Sequence, residues 1–285
     1  GNRRGARQTQ WWRLFNGNLG GSYWSATFMF RPDLLPSPMT ADVAPVIKEI
    51  QGGIATLLRQ SERVVDVGIH YSQASIRGAF LAQSAISFSE NRDGWVKALE
   101  DNGLQCEFLA TAQLEAGELA KRNYGAFILP YSVCLSAKET AAIRAYVAAG
   151  GLVIADAKTG LMDERCRILD EPRLQDLFGI ARKAPDHKCA SLPGDLRFTA
   201  NAANGNRAGT ALDVGVAEPS LTSQGGTVLA AMGDTSAMVS KQTGKGRTLF
   251  LNPFMDSYIR RRKLKIEKPI TDLCRSLLPT GRNTP

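Results

Sequence analysis

The sequence predicts an α/β protein: a parallel sheet covered by helices on both faces, with a small β-rich insert late in the chain. Two observations predict it. Between Val64 and Gly160, short strand-like runs alternate with helical runs, the pattern of βαβ units. Runs such as Ala126-Phe127-Ile128-Leu129 are apolar throughout, as strands buried on both faces are.

In order, Val64 to His70 reads as the first strand and breaks into the polar run Tyr71-Ser72-Gln73-Ala74-Ser75. A helical run covers Trp95 to Asn102, followed by a short strand, Cys106 to Leu109, and a helical run, Leu114 to Arg122. The strand Ala126 to Pro130 ends in a polar break. Ser136-Ala137-Lys138-Glu139 opens a helix as a capping box, and Gly150-Gly151 closes it. Leu152 to Asp156 is the next strand. Leu161 to Ile180 is polar and broken, with one helical piece from Pro172 to Phe178.

Residues 1–62 do not share this pattern. Gln8 to Asn18 reads as a short amphipathic helix carrying Trp11, Trp12, Leu14 and Phe15. Ser22 to Phe30 is aromatic and β-prone, and Arg31 to Pro38 is a loop. Thr40 is the expected N-cap of a helix reaching about Arg59, with Val43, Val46, Ile47, Ile50, Ile54 and Leu57 at helical spacing. This section is expected to be the last piece of something larger, exposing apolar surface on its own. The start at Gly1, without Met, also reads as an interior start.

The insert spans about 186–235. Its β-type pieces are Asp195 to Thr199, Ala211 to Ala217 and Thr227 to Met232, separated by Asn201 to Asn206 and Ser223 to Gly226. A hairpin through Gly244-Lys245-Gly246 brings back Thr248 to Leu251, apolar enough to rejoin the main sheet. Pro269 to Leu278 is a final amphipathic helix, and 279–285 a tail.

The 285 residues are 44% apolar with a net charge of +8, enough to bury real cores. No apolar run reaches the about 18 residues of a membrane span, and no secretory signal is visible. The basic clusters, Arg3 to Arg7 and Arg260 to Lys265, read as solvated surface, because no stacking platform or reading helix accompanies them as nucleic-acid binding requires. The five cysteines, none in C-x-x-C spacing, argue against a zinc site and for reduced thiols in a cytoplasmic setting. Cys106 and Cys274 sit in apolar runs and are expected in the core. No cofactor is implied.

Parallel sheets take ligands at the carboxyl ends of their strands. Those ends carry Tyr71, Ser72, Gln73 and Ser75, then Pro130, Tyr131 and Ser132, then Asp156, Lys158 and Thr159. Tyr71, Ser72, Ser75, Tyr131 and Asp156 are therefore the candidate crevice. A Cys134–His70 dyad is the nucleophilic alternative, but no G-x-C-x-G elbow surrounds Cys134, so a packed His70 is the preferred reading. Asp163-Glu164 reads as a solvated loop and Gly244-Lys245-Gly246 as a hairpin turn.

Three stretches carry a family resemblance: Val67 to Ser75; Ala126 to Pro130 with Leu135-Ser136 and the helix ending Tyr146 to Gly151; and Leu152 to Asp156 with Thr159 to Glu164. Together they resemble the trimerisation domain of bacterial β-galactosidases of glycoside hydrolase family 42, a flavodoxin-like relative of class I glutamine amidotransferases. The resemblance covers about Val64 to Leu278. It implies that residues 1–62 are the end of a (β/α)8 barrel, with Trp24 contacting carbohydrate substrate at the end of its last strand. It also implies that the two catalytic carboxylates of a retaining glycosidase lie outside the chain, so no catalytic residue is assigned here. The relatives' Cys elbow is replaced by Asp156-Ala157-Lys158, implying no glutaminase activity. The expected partner is a second and third copy of the same chain. The alternatives are a stand-alone amidotransferase-like domain sensing a small ligand at Tyr71, Ser72 and Tyr131, and a polyanion binder using Arg260 to Lys265.

Overall fold

The structure is a computed structural model that describes residues 3–16, 26–62, 64–84, 86–182, 192–199, 211–219 and 221–278. It divides into two compact units, Gly1–Val64 and Val65–Pro285.

In the first unit, α1 (Arg3–Phe15) packs on α2 (Pro38–Gln51), followed by α3 (Ile54–Gln60). Leu14, Val43 and Val46 are buried, and Arg7 pairs with Glu49 at 2.6 Å. α2 begins three residues earlier than Thr40 suggested. Ser37 is the N-cap, its Oγ accepting the Thr40 N–H at 3.2 Å, and Pro38 occupies the first turn, where no N–H is needed. The expected long helix is two, because Gly53 adopts φ +113° between them. Where Ser22 to Phe30 suggested a strand, the described part is a 3-10 turn, Ala26–Phe28, and a single bridge from Phe30 to Pro36. Trp24 lies outside the described residues. Trp12, Phe15, Phe28, Leu34 and Leu57 are exposed.

The second unit runs β1 (Val67–Tyr71), α4 (Gln73–Leu81), α5 (Phe88–Asp101), β2 (Cys106–Ala110), α6 (Thr111–Glu115), α7 (Glu118–Lys121), β3 (Ala126–Leu129), α8 (Ala137–Ala148) and β4 (Leu152–Asp156). It continues with α9 (Gln175–Phe178), β5 (Ile180–Arg182), β6 (Leu192–Phe198), β7 (Ala211–Ala217), β8 (Leu221–Ser223) and β9 (Thr227–Met232). It ends with β10 (Thr235–Thr243), β11 (Gly246–Leu251), α10 (Tyr258–Leu264) and α11 (Lys268–Leu277). One nine-stranded sheet has the order β2-β1-β3-β4-β11-β10-β9-β6-β7. Pairing is parallel from β2 through β11 and antiparallel beyond. The parallel half has the 2-1-3-4-5 order of a flavodoxin-like fold, with β11 as fifth strand.

The β-rich insert is thus not a separate layer: β6, β7 and β9 extend the main sheet through β10. Its loop Asn201 to Asn206, together with His187, Cys189 and residues 279–285, lies outside the described residues. β5 and β8 form a separate two-stranded ribbon.

Period-two alternation assigns the two faces. Val67, Ile69, Ile128, Ile154 and Leu249 face one core with Trp95, Leu99, Tyr258 and Leu273. Phe127, Leu129, Val153, Ala155 and Phe250 face the other with Leu114, Ile143, Val147 and Phe178. A third cluster, including Ala79, Ile86, Tyr131, Cys134, Met162 and Phe254, closes the carboxyl ends of the strands. α4 packs there through Ser75, Gly78 and Ala79, while Phe80 and Leu81 at its last turn are 82% and 65% exposed.

Candidate functional site

The strand ends converge on Asp156, the last residue of β4. Its Oδ2 accepts from Asn91 Nδ2 at 2.6 Å and Trp95 Nε1 at 2.9 Å, and its Oδ1 from the Tyr131 N–H at 2.5 Å. Asn91 also accepts the Met255 N–H at 2.6 Å. One carboxylate therefore ties β4 to α5 and the turn after β3, and through Asn91 to the segment after β11. Burial drives the Asp156 carboxyl up to about 7, against these three hydrogen bonds, and the nearby Asp256 carboxyl adds to the rise.

Tyr131 follows β3 with φ +44°, a left-handed conformation unusual for a bulky residue. Its ring stacks on Phe88 at 6.2 Å and meets Phe254 edge-on at 5.1 Å. Ser72 caps α4, its Oγ accepting the Ser75 N–H at 3.0 Å. Ser75 Oγ donates to the Cys134 carbonyl at 3.0 Å and accepts the Cys134 N–H at 3.1 Å. Tyr71 is half-buried against Phe108. Ser72, Ser75, Tyr131 and Asp156 are at most 1% exposed. Of the five candidates, Ser72 bonds to Ser75 at the start of α4, and Asp156 bonds to Tyr131 after β3. The Asp156 carboxylate, the Tyr131 N–H and the Ser72 and Ser75 hydroxyls are all engaged by other groups of the protein itself.

His70 does not meet Cys134. Its Nδ1 lies 2.8 Å from Ser132 Oγ and its Nε2 2.9 Å from Glu139 Oε1, all three residues buried. Burial alone would raise the Glu139 carboxyl; the hydrogen bond and charge of His70 and the Ser136 N–H outweigh it and hold the group below its ordinary range. Cys134 instead faces Cys166, and burial pushes its thiol up. Cys274 is buried, and Cys106 is half-buried at the edge of the first core.

A second buried polar cluster lies past β4. Glu218 accepts Arg182 Nε at 3.0 and 3.1 Å, Lys158 Nζ stands 3.9 Å from it, and the Arg182 guanidinium lies 5.5 Å over the Phe250 ring. Asn252 clamps the Glu218 backbone, accepting its N–H at 2.8 Å and donating to its carbonyl at 2.7 Å. Sequence reading missed Asn91, Trp95, Arg182, Glu218 and Asn252 as parts of these networks, because their partners lie tens of residues away. Among the described residues, no group of three or more His, Cys, Asp or Glu is placed to hold a metal ion, and no helix is long and apolar enough to cross a membrane.

The family model described as "Beta-galactosidase trimerisation domain" matches residues 70–259. The chain belongs to this family. The chain shares its fold with β-galactosidase from Bacillus circulans sp. alkalophilus at 17% identity and a TM-score of 0.66, over 87% of this chain and 36% of that one. It matches a catalytic mutant of Gan42B, a GH42 β-galactosidase from G. stearothermophilus, at 16% identity and a TM-score of 0.62, over 85% of this chain and 35% of that one. An exo-β-1,4-mannosidase, Op5Man5 from Opitutaceae bacterium strain TAV5, matches at 11% identity and a TM-score of 0.50, over 86% of this chain and 40% of that one. The chain thus spans little more than a third of the enzymes it resembles. No curated protein matches it.

Proposed function

We propose that residues 63–278 assemble three copies of a glycoside hydrolase, and that residues 1–62 are the end of its (β/α)8 barrel. In this reading the whole protein cleaves a carbohydrate by a retaining mechanism with two carboxylates that are not among residues 1–285, and residues 1–285 alone do not hydrolyse. Trp24 contacts the sugar. The setting is cytoplasmic, supported by the four free thiols among the described residues. The observation that carries the reading is the family match across 70–259, from the end of β1 to the start of α10. Burial of Ser72, Ser75, Tyr131 and Asp156 favours assembly over small-ligand sensing at the strand ends. The shared fold of galactosidases and a mannosidase leaves the sugar to residues elsewhere.

Light scattering on residues 1–285, run beside a chromogenic β-galactoside assay, tests it. The expected result is three times the chain mass and no turnover. A monomer at micromolar concentration, or hydrolysis that survives repurification, would overturn it.

A further inference from the structure

We propose that Cys134 and Cys166 form a peroxide-sensitive dithiol that closes reversibly to an intrachain disulfide. This rests on the geometry of the two thiols and not on the assembly reading above.

The sulfurs stand 3.8 Å apart, so each needs to move by roughly 1 Å to reach S–S bonding distance. The backbone on both sides is already joined. The Met162 N–H donates to the Val133 carbonyl at 2.9 Å, and the Leu135 N–H donates to the Met162 carbonyl at 3.1 Å, so residues 133–135 and 162 form a parallel bridge. Ser75 fixes Cys134 from both its N–H and its carbonyl. Four residues past Met162, Cys166 stands at φ +62° in a loop that Asp163 organises, its Oδ1 accepting the N–H groups of Arg165 and Arg167, each at 2.9 Å. The Cys166 thiol donates to the Ala74 carbonyl at 3.4 Å. Gly78 makes the room: a Cβ there would lie 2.6 Å from the Cys134 sulfur. The helix α4 thus leaves the buried thiol space toward Cys166.

The two thiols differ in access. Cys134 is fully buried, and Cys166 is partly buried against the third core cluster. Cys166 is therefore the more accessible of the two thiols and the first that an oxidant meets. The Cys166 thiol gives up its proton and its sulfur attacks one oxygen of hydrogen peroxide; an S–O bond forms, the O–O bond breaks, and the leaving hydroxide takes up that proton to become water. Cys134 sulfur then attacks the Cys166 sulfenic sulfur. The S–S bond forms, the S–O bond breaks, and the oxygen leaves with the Cys134 proton as a second water. Two thiols are oxidised and one peroxide is reduced to two waters. A thiol reductant reverses the bond by exchange.

The bond would tie the loop around residues 161–168 to the turn that precedes α8, closing about 30 residues of chain. Cross-linking a loop of that length stabilises mainly through the unfolded state, so the melting temperature is expected to rise on the order of 10 °C.

The test is brief treatment of residues 1–285 with hydrogen peroxide, followed by alkylation and a non-reducing digest. The expected result is a peptide pair joining Cys134 to Cys166, a higher melting temperature, and loss of both on adding a thiol reductant. Cys166→Ser, at a partly exposed position, keeps the fold and abolishes the joined peptide and the thermal shift. Cys134→Ala leaves a Cys166 sulfenic acid that dimedone captures. Over-oxidation of Cys166 to the sulfinic acid without a joined peptide, or a cross-link that pairs either cysteine with Cys189, Cys106 or Cys274 instead, would overturn the proposal.

Discussion

Asp156 shows how one buried carboxylate holds three segments at the end of a sheet. Its oxygens accept three N–H groups from α5 and the turn after β3, yet burial keeps the carboxyl near about 7. A carboxyl whose folded value lies above its ordinary 3.8 binds its proton more tightly when folded. Its contribution is therefore greatest below about pH 4 and is lost as pH rises towards about 7. Asp156→Asn removes that dependence, but its amide presents a donor to one of the N–H groups. The expected result is that the variant is destabilised most at about pH 4, and that the gap to the wild type shrinks by up to about 4 kcal/mol by about pH 7. Urea unfolding of both proteins across that range checks it; a gap that is constant or widens with pH would sink the assignment. Glu139 works in the opposite direction, its carboxyl held low beside His70, so its contribution is present above its ordinary value and lost as pH falls. Measuring the difference between variant and wild type isolates Asp156 from such groups.

At the scale of elements, close approach between α5 and the segment after β11 depends on Gly94. A Cβ there would lie 2.0 Å from the Met255 carbonyl oxygen. In an open helix, Gly→Ala gains about 1 kcal/mol of helix propensity; here the clash decides the sign. Gly94→Ala is expected to lose roughly 1–3 kcal/mol, read as a lower urea midpoint at unchanged slope. A midpoint equal to or above the wild type would mean that the segment moves aside. Much of this arrangement was legible locally. The strands β1 to β4 and β11, the capping box of α8 and the glycine turn of the hairpin all carry their signals within a few residues. α4 was not: its N-cap Ser72 lies in a run that also reads as a polar turn. α10 was hidden by its basic residues, Arg260 to Lys263, with Tyr258 its one buried side chain. The pairing of β6, β7 and β9 onto β10 was not legible either, because an alternating strand pattern specifies a face and not a partner. The candidate site was half legible. Its strand-end residues followed from the fold, but Asn91 and Trp95 reach Asp156 from α5, more than sixty residues away, and nothing in their local sequence says so.

In the second unit the carboxyl end of the sheet is sealed by its own side chains, while the last turn of α4 presents apolar side chains to solvent. Phe80 and Leu81 are 82% and 65% exposed, next to Gly78 and Ala79, which are buried against the third core cluster. A helix end that carries adjacent exposed large apolar residues suits burial against another surface, and on the proposed assembly reading its occupant is a second copy of this chain. Covering both side chains would contribute several kcal/mol, so replacing both with aspartate is expected to weaken self-association on the order of a hundredfold or more. Phe80→Asp with Leu81→Asp should therefore shift residues 1–285 towards monomer at micromolar concentration in sedimentation velocity, with an unchanged far-UV spectrum and melting transition at fixed oligomer state. An assembly that survives both charges at wild-type strength would place the contact elsewhere on the unit, and the first alternative to mutate is Phe108 on the edge strand β2, which is 45% exposed.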